Sequence, residues 1–382
     1  MIKTKCICLE GIPGSGKSTT SGLVALQAER NGANVTWFHE VARWHPVNLF
    51  RKAALSPEEF QGVCRGLSEH VRGRVEAAST RRGTYHVVDL DVLRRSGGQD
   101  ARDALEPYDV WTWPNERDRA FALELWQAMV EEYRDKDEVI ILDASLFQYP
   151  IYGMLWEQTP RDEIKAYVHQ LLAILEPLNP VLIHLYQADS EQLIEKLLRI
   201  RGDAWVDHIV ERDRERPYYK NSDVPGRERM RQFHLELRER MQEMFEETPF
   251  RKLGIENSAG EFARYDRQVL EFLELEHIPD PVLSEDALQR VAGTYTNDTV
   301  QKTIRLIPDN GTLYFEGGIN RRVRLIPKDE STFTFQDSPV VLHVGEDALT
   351  LGGVELIDTW TESGLVYQKQ VTHPRKKTPP HR

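Results

Sequence analysis

A chain of 382 residues with 40% hydrophobic content holds enough apolar material for more than one core, so two domains are expected. Its net charge of −12, from 61 acidic against 49 basic residues, argues against a broad nucleic-acid face, which needs clustered positive charge. Cys6, Cys8 and Cys64 are too few for a disulfide framework, no apolar run is long enough for a membrane span, and Glu10 interrupts any signal-peptide core, so a cytoplasmic protein without a membrane partner is expected.

In chain order, an apolar strand over Lys5–Glu10 runs into GIPGSGKST, Gly11 to Thr19. A helix over Ser18–Arg30 follows and stops at Asn31-Gly32. Strands are then expected over Asn34–Phe38, Tyr85–Asp89, Val139–Asp143, Val181–Tyr186 and Arg251–Ile255. Helices are expected over Ser56–Ser79, Asn115–Arg134, Arg161–Leu175, Asp189–Arg199, Arg227–Glu246 and Glu261–Leu275. This alternation predicts an α/β domain over residues 1–278, a parallel sheet flanked by helices. Pro279 and Pro281 open a linker over 279–290, with a helical turn at Ser284–Val291. A small all-β domain over 291–371 is expected next. Its segments are Lys302–Ile307, Thr312–Phe315, Arg321–Ile326, Thr332–Phe335, Val340–Val344, Ala348–Leu351, Val354–Asp358 and Leu365–Gln370. Turn residues such as Asp309-Asn310-Gly311, Glu316-Gly317-Gly318 and Gly352-Gly353 separate them, predicting an antiparallel meander or barrel. The basic, proline-rich Thr372–Arg382 reads as a frayed tail.

The glycine segment fits G-x-x-x-x-G-K-[ST] between a strand and a helix, the setting in which it cradles a nucleoside triphosphate. Backbone N–H groups of Gly14, Ser15 and Gly16 can turn inward, and the helix presents its positive end to the same phosphates. Lys17 supplies a point charge for the outer phosphates, and the Ser18 hydroxyl is placed to ligate Mg²⁺. With Gly11, Pro13 and Thr19, these residues form the expected ATP site.

An apolar strand ending in Asp143 sets a carboxylate at the sheet's carboxyl edge, as a second Mg²⁺ ligand or as a cap for the turn at Ser145. Arg199, Arg201, Arg212, Arg214 and Arg216 could serve a closing lid, with Arg199 and Arg201 favoured because fewer acids adjoin them. Glu211, Asp213 and Glu215 interleave with the others, as on a solvated helix of ion pairs. Glu40, at the end of the second strand, could take a proton from a substrate hydroxyl or be a solvated strand end. Asp89 and Asp91 are rival bases. Arg43 stands where a zinc H-E-x-x-H motif starting at His39 would need histidine. Tyr108, Trp111 and Trp113 either stack on a flat substrate or pack beneath a loop.

Through GIPGSGKST, Glu40, the run Ile140–Ser145 and the arginines from Arg199 to Arg216, residues 1 to about 275 resemble the P-loop kinases of the thymidylate and deoxynucleoside kinase group. The stretch Asp143–Gln148 also looks like that of an unassigned bacterial P-loop group. The kinase resemblance implies ATP phosphates held by the glycine loop and Lys17, with Mg²⁺ at Ser18 and Asp143. It further implies an acceptor met by Glu40, closure by Arg199 or Arg201, adenine near Asn257–Gly260, and a homodimer as one option. Ala144 stands where those kinases carry arginine, and Val41 where they carry proline. The segment Ala292–Tyr295 and the hairpins after it resemble small β domains appended to some bacterial hydrolases.

The expected function is therefore ATP- and Mg²⁺-dependent phosphoryl transfer to a small-molecule hydroxyl or phosphate. The alternative is a nucleotide-dependent ATPase or switch whose β domain binds a partner.

Overall fold

The computed structural model describes residues 3–95, 98–113, 115–317, 321–357 and 365–370. The chain divides into two compact units, with the boundary between Ile278 and Pro279. In chain order the first unit begins β1 (Cys6–Glu10), α1 (Lys17–Arg30), β2 (Val35–Phe38), β3 (Lys52–Leu55), α2 (Pro57–Gly66), α3 (Glu69–Ala77), β4 (Ser79–Arg82) and β5 (Tyr85–Asp89). It continues α4 (Leu90–Arg95), α5 (Gln99–Leu105), α6 (Asn115–Tyr133), β6 (Val139–Asp143), α7 (Gln148–Trp156), α8 (Arg161–Leu175) and β7 (Val181–Tyr186). It ends α9 (Ser190–Arg201), α10 (Asp203–Asp213), α11 (Pro217–Lys220), α12 (Gly226–Glu247), β8 (Arg251–Glu256) and α13 (Phe262–Leu273).

Five parallel strands in the order β2-β6-β1-β7-β8 make the central sheet. Alternation along each strand gives the sheet two apolar faces. Cys6, Cys8, Ile140, Leu142 and Leu182 pack in one core with residues of α6, α7, α8 and α12. Ile7, Leu9, Ile141 and Ile183 pack in another with residues of α1 and α13. The expected parallel sheet with helices on both faces is thus present. All three cysteines are buried and free. Among the described residues, no helix is long and apolar enough to cross a membrane.

Two expectations are corrected here. Tyr85–Asp89 is a strand, yet it lies outside the parallel sheet, at the centre of a three-stranded antiparallel sheet between β3 and β4. Gly83, at φ +53°, turns the chain between β4 and β5. The helix expected over Ser56–Ser79 divides in two. Ser56 and Glu59 cap α2 reciprocally, at 3.2 and 2.8 Å, and Ser68 starts α3 afresh by accepting from Val71 N. Ser79 then enters β4. β3, β4, α4, α5, α7, α10 and α11 have no counterpart among the expected helices and strands. The near-continuous apolar run of α7, with Pro150 in its first turn, offers no helical period to read.

The second unit opens with α14 (Glu285–Val291), capped by Ser284 through Ala287 N at 3.2 Å. Eight antiparallel strands follow: β9 (Gly293–Asn297), β10 (Lys302–Asp309), β11 (Thr312–Gly317), β12 (Arg321–Pro327), β13 (Thr332–Phe335), β14 (Val340–Val344), β15 (Ala348–Gly353) and β16 (Val366–Lys369). Each pairs with the next, and β16 returns to β9, closing a barrel. Period-two alternation buries Ile304, Leu306, Phe315, Leu325, Phe333, Leu342, Leu351 and Tyr367. The strand expected over Val354–Asp358 is not formed at Val354–Ile357. Gly353 takes φ +79°, and a Cβ there would lie 2.4 Å from Pro339 O, so the chain turns away. β9, unassigned from sequence, is the closing strand instead. Gly318, Asp358, Trp360 and Thr372–Arg382 lie outside the described residues.

Tyr295 is fully buried and its hydroxyl donates to Val291 O at 2.8 Å, tying β9 to the end of α14. Tyr295→Phe leaves that carbonyl without its donor and is expected to lower stability by about 1 kcal/mol, read by chemical denaturation.

Candidate functional site

The glycine loop leaves β1 at the carboxyl edge of the sheet and enters α1. Gly14 and Gly16 take φ +84° and +95°, conformations that favour glycine, and both are exposed. Gly11 is held by contact: a Cβ there would lie 2.3 Å from Leu185 O. Pro13 and Ser18 are half-buried and Thr19 is exposed. No side chain caps the first turn of α1, and no acid lies in it, so its N–H groups keep their positive end open. Lys17 is buried and its Nζ donates to Ile12 O at 3.2 Å. Asn257 donates to Ser15 O at 2.7 Å, so it braces the glycine loop.

Three carboxylates stand at the ends of adjacent strands, in three different environments. Glu10, ending β1, is fully buried and accepts from Leu146 N at 2.7 Å and Gln148 N at 3.0 Å. Burial lifts its carboxyl to about 7, against those N–H bonds and Lys17. The sequence reading assigns Glu10 no place in the site, though an acid closing an apolar strand is a readable signal. Asp143, ending β6, is also fully buried, yet neither of its oxygens has a hydrogen-bond partner among the described residues. Burial and nearby Glu40 push it up to about 7, while Lys17 and the Ser18 hydroxyl pull the other way. Glu40, just beyond β2, is half-buried and accepts from Gln148 Nε2 at 3.3 Å.

An orphaned buried carboxylate beside a hydroxyl and an open glycine loop fits a divalent cation whose other ligands come from phosphate and water. Among the described residues no cluster of three or more His, Cys, Asp or Glu forms a self-sufficient metal site.

The segment after Asp143 is fixed from beneath. Ala144 adopts a left-handed φ of +59°, and donates to Leu9 O at 2.9 Å. Buried His45 accepts at Nδ1 from Val47 N and Asn48 N, at 3.1 and 2.9 Å. Its proton is therefore on Nε2, which donates to Ser145 Oγ at 3.1 Å. Ser145 in turn donates to Asp143 O at 3.1 Å. This serine–histidine pair is a strut, because the histidine has no lone pair facing the hydroxyl.

Beside Glu40 opens a cavity of about 240 Å³, lined by α6, α7, the segment from Val41 to Phe50 and the end of α10. Trp111, Trp113, Trp126 and Trp156 contribute to its walls, with Asp118, Glu157, Arg212 and Arg216 among them. Of the aromatic trio singled out in sequence, Trp111 and Trp113 line the cavity. Tyr108 packs against the core around β3 and β5.

The arginines divide differently from expectation. Arg199 and Arg201 are exposed and absent from the cavity wall; Arg201 lies over the Trp205 ring at 5.5 Å. Arg212 and Arg216 reach the cavity, and both lie over Trp156, at 5.4 and 4.9 Å. The end of α9 points its amphipathic exposed side to water, a property of helical phase that arginine density does not reveal. Asp89 and Asp91 are also occupied: Asp89 pairs with Lys52 at 3.1 Å and caps α4, and Asp91 pairs with Arg94 at 2.9 Å. They hold α4 and β3, leaving Glu40 as the strand-end acid at the cavity.

Comparison with protein-family models finds none that matches this sequence, and a search of curated proteins finds no match.

Burial lowers His45 from its ordinary 6.5 to about 3. The unfolded histidine gains its proton near pH 6.5 and the folded one near 3. Its stabilisation is full above the unfolded value and is lost as pH falls towards the folded one. Glu10 and Asp143 shift in the opposite sense, so a difference between variants isolates the histidine. In His45→Gln, stability measured by urea denaturation should fall less between pH 7 and pH 4 than in the wild type. An equal fall in both would contradict a buried neutral His45.

Proposed function

We propose that residues 1–278 form a P-loop, ATP- and Mg²⁺-dependent phosphotransferase acting on a small-molecule hydroxyl or phosphate. The observation that carries this reading is Asp143. It is buried with both oxygens unpartnered, between Lys17, Ser18 and Glu40, at the mouth of a glycine loop and next to a cavity.

In this reading the backbone of Gly14, Ser15 and Gly16 and the open end of α1 hold the phosphates. Lys17 would exchange its bond to Ile12 O for an outer phosphate. Ser18 and Asp143 would hold the metal, which when bound neutralises charge developing on the transferred group. Glu40 orients the acceptor hydroxyl and takes its proton. Arg212 and Arg216, rather than Arg199 and Arg201, lie where a lid cation would act. Catalysis would rest on positioning and electrostatics more than on covalent chemistry. The cavity favours transfer to an acceptor over the alternative of a nucleotide-driven switch, which needs no such space.

Titration calorimetry with ATP, with and without Mg²⁺, tests the first half. Wild type should bind ATP more tightly when Mg²⁺ is present. Lys17→Ala should weaken binding about tenfold or more, and Asp143→Asn should remove most of the Mg²⁺-dependent gain. Acceptor-dependent ADP release across nucleosides, nucleotides, sugars and aminoglycoside-like compounds tests the second half. A protein that ignores both ATP and GTP would end the proposal.

A further inference from the structure

The charges around the cavity do not balance once their pairings are traced. Its three arginines each have a nearer carboxylate: Arg212 with Asp213 at 2.6 Å, Arg216 with Glu157 at 2.9 Å, and Arg119 with Glu163 at 3.5 Å. Asp118, one turn into α6, lines the same cavity and has neither a hydrogen bond nor an ion pair among the described residues. Arg119 and Arg216 act on it only through space, too weakly to offset burial, which lifts its carboxyl to about 6. Trp111, Trp113, Trp126 and Trp156 line the same cavity. Guanidinium groups already lie over Trp113 and Trp156, so the unpaired carboxylate is the feature that favours a cation here. Asp118 is half-buried, and a neutral ligand that covered it would leave its carboxylate unpaired, which is costly.

We propose that this cavity receives a small hydroxylated amine in its protonated form, and that Asp118 is the residue that selects it. The word acceptor, for such a ligand, rests on the phosphotransfer reading above; the cation selectivity does not. At about 240 Å³ the space lies below the roughly 300–1,000 Å³ typical of drug-sized ligands. An amino alcohol or a single amino sugar therefore suits it, and its hydroxyl would meet Glu40 on the Asp143 side. The arginines, each already engaged, form the walls and not the receptor.

Matched ligand pairs provide the test. Choline is compared with its neutral isostere 3,3-dimethylbutan-1-ol, and glucosamine with glucose, by tryptophan fluorescence and calorimetry on the full chain. The charged member of at least one pair should bind about tenfold more tightly than its neutral partner. Asp118→Asn should erase that preference with the melting temperature unchanged, and Asp118→Glu should restore part of it. Equal or tighter binding of the neutral members, or no binding of either cation at millimolar concentration, would overturn the proposal. So would tightest binding of glucose 6-phosphate, used as an anionic control. Cation binding without ATP-dependent phosphorylation of the ligand would leave the amine site standing and remove the phosphotransfer reading. Phosphorylation of neutral acceptors alone would do the reverse.

Discussion

The bond network of Glu10 organises the rest of the first unit's chemistry. Its two oxygens are saturated by the N–H groups of Leu146 and Gln148. That fastens the last residue of the first strand to the segment immediately after Asp143. The glycine loop leaves from the next residue after Glu10. One buried carboxylate thus ties the start of the glycine loop to the segment after Asp143. Buried acids of this kind are tolerated where backbone donors replace the lost water.

Neighbouring strand ends carry carboxylates in three states. Glu10 is fully bonded, Asp143 is bare, and Glu40 touches one amide. The same carboxyl chemistry is held in three different ways by environment alone. The strut of His45 and Ser145 sharpens the contrast, since it resembles a nucleophile–base pair by residue type and is the reverse by proton position. Ala144, between these groups, is held in a left-handed conformation.

Much of this was legible in the chain. The glycine loop, the strand ends and the alternation of strand and helix depend on local pattern, and pattern is what a sequence displays. The closed barrel followed from evenly spaced turns, although its closing strand did not, because Gly293–Asn297 has no long apolar alternation. The cavity was mostly hidden. Trp111, Asp118, Trp156 and Arg216 are scattered over a hundred residues and meet only through tertiary packing. Arginine density near Arg199 does not say which helical face points inward, which is decided by neighbours such as Leu197 and Leu198. Tyr85–Asp89 had strand chemistry without any sign of which sheet would receive it. That was settled by the buried pair of Lys52 and Asp89, residues 37 apart in sequence.

Closure of the second unit has a consequence for self-association. A ring of strands exposes no unpaired backbone row, and only four residues, Val366–Lys369, complete it. Detaching that keystone would bare the flanks of its two neighbours, Gly293–Asn297 and Ala348–Gly353, at once. Another copy's equivalent segment could then slot into the gap, so strand exchange between molecules is the characteristic failure of this architecture.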